Sequence, residues 1–249
     1  MAATRLPANR DEVASRLQRA YPEFVAGISE NEVLFADGTT LPFDDGIANK
    51  PDKDWISNPD IEDMFAYRYP AGAPALVPDV NFDPGRARNA AFFSKIYGDC
   101  RKGEVDKHLV KVVWLPKKYG RSVRFTKLNG AAEMLSRVSA ELDLLPASYN
   151  VDLFPPAGTY NCRSVAGTKD PSAHGYGIAI DISLKRTSYW RWKMLTPTSP
   201  VEFRNKVPFQ IVRIFEKHGF IWGGRWHHYD TMHFEYRPEL LPAHNEGFR

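Results

Sequence analysis

Two stretches of this sequence decide the fold: residues 172–181, Ser-Ala-His-Gly-Tyr-Gly-Ile-Ala-Ile-Asp, and residues 229–236, Tyr-Asp-Thr-Met-His-Phe-Glu-Tyr. In each of them apolar and polar residues alternate, which is typical of a β-strand whose two faces meet different surroundings. In the first strand the isoleucine side chains are predicted to enter the core, so that Asp181 points to the opposite face. In the second, the large apolar side chains share one face, which leaves His233 and Glu235 on the other.

A histidine precedes the first strand at a distance from which it can reach the carboxylate. His174 lies seven residues before Asp181, and the glycines between them let the backbone turn back. If the two strands pair, His174, Asp181 and His233 converge. Two neutral imidazoles and one carboxylate are a ligand set of catalytic zinc, with the fourth position left for water. The sequence therefore predicts one zinc ion per chain.

Acidic residues beside this predicted metal site suit hydrolysis. Asp230 lies three residues before His233, close to the metal but free to accept a proton from water. Such an arrangement hydrolyses an amide without a protein nucleophile. Glu235 fits better as a partner that orients a ligand imidazole than as a base.

The spacing of these residues resembles the M15 zinc peptidases, through Ser172-x-His174-x-x-Gly177-x-Ala179-x-Asp181 and Asp230-x-x-His233-Phe234-Glu235. That family includes D-Ala-D-Ala dipeptidases and carboxypeptidases and the L-Ala-D-Glu endopeptidases of phage endolysins, which act on cell-wall stem peptides. The resemblance implies that His174, Asp181 and His233 bind zinc. It also implies that Asp230 is the general base and that Arg163 polarises the scissile carbonyl. Gly175 is an addition to the family pattern, and the resemblance covers about residues 121–240.

Other residues near the motif are candidates for substrate binding. Ser172, Trp226 and His228 are predicted to contact substrate, although Ser172 could instead cap the turn and His228, like His227, could be a hydrogen-bonded loop histidine. Arg163 could be part of a plain ion pair. Aromatic residues near the site could form the walls of a groove or belong to the core: Tyr189, Trp190, Trp192, Trp222 and Trp226.

The whole chain predicts an α+β fold, with a small antiparallel sheet that carries the zinc site and packs against helices. Residues 1–120 are expected to be an ordered N-terminal accessory extension packed on the core, and residues 121–249 the catalytic domain. The amphipathic helix over 128–145 is expected to pack against the site's sheet. The remaining predicted elements are helices over 11–20, 87–97 and 207–218, a hairpin over 24–41 and a strand over 109–115.

Composition limits the possible partners and compartment. The 249 residues are 43% hydrophobic and carry a net charge of +3, with basic residues scattered along the chain, so no nucleic-acid partner is predicted. No stretch is long enough for a transmembrane helix, and residues 1–7 lack the apolar core of a signal sequence. Export, for example to the periplasm, is nevertheless expected, because the implied substrate, peptidoglycan or its muropeptides, lies outside the cytoplasm. Cys100 and Cys162 could form a disulfide or be two buried thiols, and the oligomeric state is left open.

Two other functions share the predicted ligand set. Non-haem iron oxygenases also use two histidines and a carboxylate, but their first histidine and carboxylate are usually two residues apart rather than seven. A non-catalytic zinc-binding module of the cell wall would have no use for a base beside the metal. Which bond is cut is also left open, since the protein could be an endopeptidase or a carboxypeptidase, although an aspartate at position 230 favours the endopeptidase.

Overall fold

The computed structural model of this chain describes residues 4–5, 8–47, 49–74, 77–165, 170–194, 196 and 200–242. In this part of the chain the α-helices are α1 (Arg10–Ala20), α2 (Asp52–Ser57), α3 (Ala90–Tyr97), α4 (Ala131–Leu142), α5 (Asn150–Leu153) and α6 (Phe209–Lys217). The strands are β1 (Val25–Ser29), β2 (Glu32–Phe35), β3 (Thr40–Pro42), β4 (Leu109–Trp114), β5 (Arg121–Thr126), β6 (Ala179–Asp181), β7 (Phe220–Trp222) and β8 (His233–Tyr236). The mixture of helices with small antiparallel sheets confirms the α+β prediction.

The strands form three antiparallel sheets, with the orders β1-β2-β3, β4-β5 and β6-β8-β7. The third sheet contains both motif strands, which pair with each other, so the condition for His174, Asp181 and His233 to converge is met. In its register Asp181 is opposite His233. Strands β5 and β7 were not predicted: β5 is as long as β4 but has only two apolar residues, Val123 and Phe125, and the three apolar residues of β7 follow α6 closely and also suit the end of a helix.

The predicted helices all form, within a few residues at their ends. Asn9 and Asn89 cap α1 and α3 with their side chains, as expected for the residue before a helix. The packing predicted for α4 is wrong, because it lies mainly against β4 and α6, whereas α6 lies against β7 of the third sheet. A turn with positive φ at Asn129 and Gly130 leads into α4, which lies over the hairpin of β4 and β5 that precedes it.

The motif strands are buried on both faces. Every residue of β8 is buried, with His233 at 7% and Glu235 at 0% exposure. Ala179, which was expected to point away from the core, is also fully buried. The predicted alternation gives the direction of the side chains, but residues from the N-terminal half cover the face that was expected to be open.

The N-terminal half shares one hydrophobic core with the motif. That core includes Leu17 and Phe92 from the first hundred residues together with Ile180 and Phe234 of the third sheet. The expected boundary after residue 120 falls between β4 and β5, which pair with each other along their whole length. A disulfide joins Cys100 to Cys162, so the bridge is the alternative that the structure contains. Among the described helices none is long and apolar enough to cross a membrane.

Candidate metal centre

The backbone brings the three predicted ligands together through one turn and one strand pair. His174 lies in a short 3-10 helix, Ala173–Tyr176, which ends at Gly177. Gly177 has a φ of 70°, in the left-handed region that glycine adopts without strain. The chain then enters β6, whose last residue, Asp181, is paired with His233 at the start of β8. The ligands thus sit at element ends that the core holds in place.

Each predicted ligand presents one donor atom to a common point. His174 Nε2 lies 3.2 Å from both Asp181 Oδ1 and His233 Nδ1, and His233 Nδ1 lies 3.0 Å from the same oxygen of Asp181. Donor atoms at normal bond lengths from a tetrahedral zinc ion lie about 3.3 Å apart. The observed triangle is close to that spacing, so the three side chains fit a zinc ion.

The second ring nitrogen of each histidine has an acceptor as its partner. His174 Nδ1 faces the backbone carbonyl of Thr159, and His233 Nε2 lies 2.9 Å from Glu235 Oε2. Because an acceptor takes a hydrogen there, the lone pairs of His174 Nε2 and His233 Nδ1 point towards Asp181. Two lone pairs and a carboxylate oxygen at this distance repel one another unless a proton or a metal ion lies between them. Metal-binding histidines are usually held in this way.

The electrostatic field of the site favours a positive charge. Burial by itself lowers the pKa of His233, but its hydrogen bonds to Asp181 and Glu235 raise that pKa to about 10. Burial by itself raises the pKa of Asp181, but hydrogen bonds from His174 and His233 hold it well below its usual range. A metal ion can supply the positive charge that these shifts call for.

Asp230 lines the cleft beside the three ligands. Its backbone forms a bridge with Tyr189 and accepts a hydrogen bond from His233 N at 3.2 Å. Within the described part of the chain, its Oδ1 atom is buried and has no hydrogen-bond partner. Burial raises the pKa of Asp230 to about 6, against the opposing effect of His233. A carboxylate with an unengaged oxygen and a raised pKa is a suitable proton acceptor near neutral pH.

The cleft has a volume of about 410 Å³ and is lined by every predicted site residue except Glu235, which lies behind His233. Arg163 is exposed on its rim and forms no salt bridge with a described acidic residue, although its charge acts on Asp230 and opposes the rise that burial causes in the pKa of that carboxyl. Ser172 is buried, and its Oγ has no hydrogen-bond partner in the described chain. Ser172 makes no side-chain bond to the turn it precedes, so the capping alternative is wrong.

The other candidate substrate residues are anchored from the N-terminal half. Trp226 donates from Nε1 to the carbonyl of Pro84 at 2.8 Å, and its ring centroid lies 5.7 Å from that of His233. The backbone N and the Nδ1 of His228 contact the carboxylate of Asp83 at 2.9 and 2.6 Å. Both side chains still line the cleft, so contact with a substrate remains open to them.

The aromatic residues divide between the cleft and the core. Tyr189, Trp192 and Trp226 line the cleft. Trp222 is a core residue whose Nε1 donates to the carbonyl of Thr231 at 3.0 Å. The groove interpretation therefore applies to part of the set only.

Several residues that support the site were not predicted from the sequence: Asp83, Arg88 and Thr159, which lie outside the two motifs, and Arg237, which follows Glu235 by two positions. Arg88 contacts Glu235 across 147 positions of sequence, and Asp83 contacts His228 across 145. Thr159 takes part through its backbone carbonyl, which any residue could supply. No local pattern marks such partners.

One comparison with known proteins gives a match. Residues 166–236 match the M15 peptidase family model described as D-alanyl-D-alanine carboxypeptidase. The matched segment contains His174, Asp181, Asp230, His233 and Glu235, whereas Arg163 and Arg88 precede it. Neither the curated proteins nor the solved structures gave a match.

Proposed function

We propose that this chain, an M15-family peptidase by the match over residues 166–236, is a zinc enzyme that hydrolyses amide bonds in peptidoglycan stem peptides or their cross-links. The observation that carries the proposal is the triangle of donor atoms from His174, Asp181 and His233, 3.0–3.2 Å apart, in a cleft that also contains Asp230. A metal site next to an unengaged carboxylate suits hydrolysis better than it suits simple metal storage.

The residues of the cleft divide the reaction between them. Zinc held by His174, Asp181 and His233 would lower the pKa of a water molecule to about 7 and polarise the substrate carbonyl. Asp230 accepts a proton from the attacking water while the oxygen of that water forms a bond to the carbonyl carbon. Asp230 then gives that proton to the amide nitrogen as the C–N bond breaks, which leaves a carboxylic acid and an amine.

The rim of the cleft supplies charge for the substrate. Arg163 is exposed there and can donate hydrogen bonds to the carbonyl oxygen as negative charge develops on it. Stem peptides also carry free carboxylates, and Arg191 adds a second exposed guanidinium to the lining. Ser172 can orient the peptide through its hydroxyl, which has no hydrogen-bond partner among the described residues.

Peptidoglycan as substrate implies that the protein acts outside the cytoplasm. The disulfide between Cys100 and Cys162 supports this, because such bonds persist mainly in oxidising compartments. Export to the periplasm or beyond is therefore part of the proposal.

Replacement of Asp230 by Asn tests the chemistry separately from metal binding. The variant should keep about one zinc per chain and lose activity on defined muropeptides by about 100-fold to 10,000-fold, measured by mass spectrometry of the products. His233→Ala is the control that should lose both metal and activity.

Four results would contradict the proposal. Full activity of Asp230→Asn would remove its role as base, and metal retained in both His174→Ala and His233→Ala would place the metal elsewhere. Zinc bound by the wild type without cleavage of any muropeptide would favour a non-catalytic zinc-binding module, and iron in place of zinc would favour an oxygenase.

A further inference from the structure

Glu235 lies behind the metal centre and accepts hydrogen bonds from three side chains. It is fully buried, and its Oε2 lies 2.9 Å from His233 Nε2 and 2.5 Å from Arg88 Nη2. Arg88 Nε lies 3.0 Å from both carboxylate oxygens, and Arg237 Nη1 lies 3.0 Å from Oε1. All these neighbours are donors, so the hydrogen between Glu235 and His233 belongs to the imidazole. The orientation of His233 thus depends on how firmly Glu235 is held.

The two arginines hold Glu235 in different ways. Arg237 is fully buried and also contacts Glu239 and the carbonyl of Gly85, so its removal would disturb several contacts at once. Arg88 directs Nε and Nη2 at Glu235 and donates from Nη1 to the carbonyl of Arg86, and its guanidinium lies 5.9 Å from the centroid of the Trp226 ring. Its side chain is 13% exposed and lines the cleft. Arg88 is therefore the contact that can be changed with least effect on the core.

Arg88 belongs to a segment that follows the site closely, residues 82–88, which we call the strap. Strap carbonyls accept hydrogen bonds from His227 N, Trp226 Nε1 and Arg237 Nη1, at 2.8, 2.8 and 2.7 Å. The next residue, Asn89, caps α3, so Arg88 is fixed just before a helix. The first residues of the strap thus contact the loop before β8, and its last residue, Arg88, contacts Glu235 within β8.

We infer that Arg88 is a positioning residue for the metal centre, which it serves by holding Glu235 so that His233 keeps Nδ1 directed at the metal. The inference rests on the proposed function, since it concerns the same zinc ion. It means that the N-terminal half supplies a part of the metal site that the matched segment, residues 166–236, lacks. Loss of a partner of this kind typically weakens metal binding 10-fold to 100-fold.

The test measures zinc affinity by competition with a chelator in the full-length chain. Arg88→Met should raise the zinc Kd about 10-fold to 100-fold. The Kd of Arg88→Lys should lie between those of the wild type and Arg88→Met, because lysine keeps the charge but cannot bind both carboxylate oxygens as a guanidinium does. The matched control is Arg86→Met, on the same strap and lining the same cleft, whose guanidinium contacts Asp83 at 3.1 Å and not Glu235. The control should keep the wild-type Kd.

Two further readouts separate positioning from a general loss of structure. In Arg88→Ala, millimolar guanidinium should restore part of the zinc affinity, whereas it should not change the Kd of Arg88→Met, in which the side chain fills the space. The visible spectrum of the cobalt-substituted protein should differ between Arg88→Met and the wild type and be unchanged in Arg86→Met, since it reports the ligand geometry.

The outcomes distinguish the inference from the proposed function. If the wild type binds zinc tightly and Arg88→Met has the same Kd and the same cobalt spectrum, Arg88 has no positioning role. If Arg86→Met weakens zinc binding as much as Arg88→Met, the effect belongs to the strap as a whole and the inference is overturned. If the wild type itself does not bind zinc, the proposed function fails instead.

Discussion

The disulfide between Cys100 and Cys162 can be removed without a change to any predicted ligand, so it tests how the cleft is held. The bond joins residues 62 positions apart. Loop entropy alone predicts that opening a loop of this length lowers the free energy of unfolding by about 4 kcal/mol. A chain of 249 residues has an unfolding entropy of about 0.5 kcal/mol/K. The melting temperature of Cys100→Ser/Cys162→Ser should therefore fall by about 8 °C.

The same variant should also affect substrate binding. Cys162 directly precedes Arg163 on the rim of the cleft. Cys100 lies close to Gly175, the residue after His174, since a Cβ added to Gly175 would be 3.4 Å from Cys100 Sγ. Without the bond, the rim loses its covalent anchor to the segment that follows α3, and KM for muropeptides should rise. Zinc content should stay unchanged, because Thr159 still holds His174.

Calorimetry with and without a reductant checks the stability of both proteins. A reductant should lower the melting temperature of the wild type to that of the variant and leave the variant unaffected. Two reactive thiols per wild-type chain under denaturing, non-reducing conditions would refute the bridge. A variant that melts at the wild-type temperature would refute the loop-entropy argument.

Three other residues give predictions of different kinds. Gly177→Ala should lower the free energy of unfolding by about 1–3 kcal/mol, because φ is 70° there and the new Cβ would lie 2.9 Å from Leu109 Cδ2. Denaturant unfolding of this variant is compared with that of Gly175→Ala, a position without a positive φ, which should lose less stability. Ser172→Ala should raise KM while stability stays within about 0.5 kcal/mol, since its Oγ has no partner among the described residues to lose. Burial by itself raises the pKa of Asp83, but its hydrogen bond with His228 and the charge of Arg86 lower it. Because this folded pKa lies below the unfolded value of about 3.9, the stabilisation is present above that pH and is lost as the pH falls through the folded pKa. The free energy of unfolding, measured from pH 5 down to pH 3, should therefore fall less steeply in Asp83→Asn than in the wild type.

Much of the site could be predicted because its residues lie in local patterns. The alternation around Asp181 and His233 gave the side-chain directions, and antiparallel pairing of the two strands then brings both residues to the same end of the sheet. The helices were predictable for the same reason, since their apolar residues recur every three or four positions. These features depend on residues that are close together in the sequence, so the sequence pattern alone predicts them.

The surroundings of the site could not be predicted because they depend on distant contacts. Arg88 stands two positions after Arg86 in a stretch that resembles a solvated surface, yet its guanidinium reaches Glu235 in the core. The packing of α4 was missed for a similar reason, since its apolar face fits any apolar partner and the pattern does not tell which one it meets. Periodicity shows that a face is buried but not what covers it.

The burial of Glu235 explains why the N-terminal half cannot be treated as an optional addition to the metal centre. A carboxylate with no exposure is costly unless charged donors surround it, and the donors here come from both halves of the chain, as Arg88 and Arg237. Removing one guanidinium leaves a buried charge with less compensation next to His233, a proposed metal ligand. Loss of the Arg88 contact should therefore weaken zinc binding, and zinc affinity is the direct measure of how the two halves fit together at Glu235.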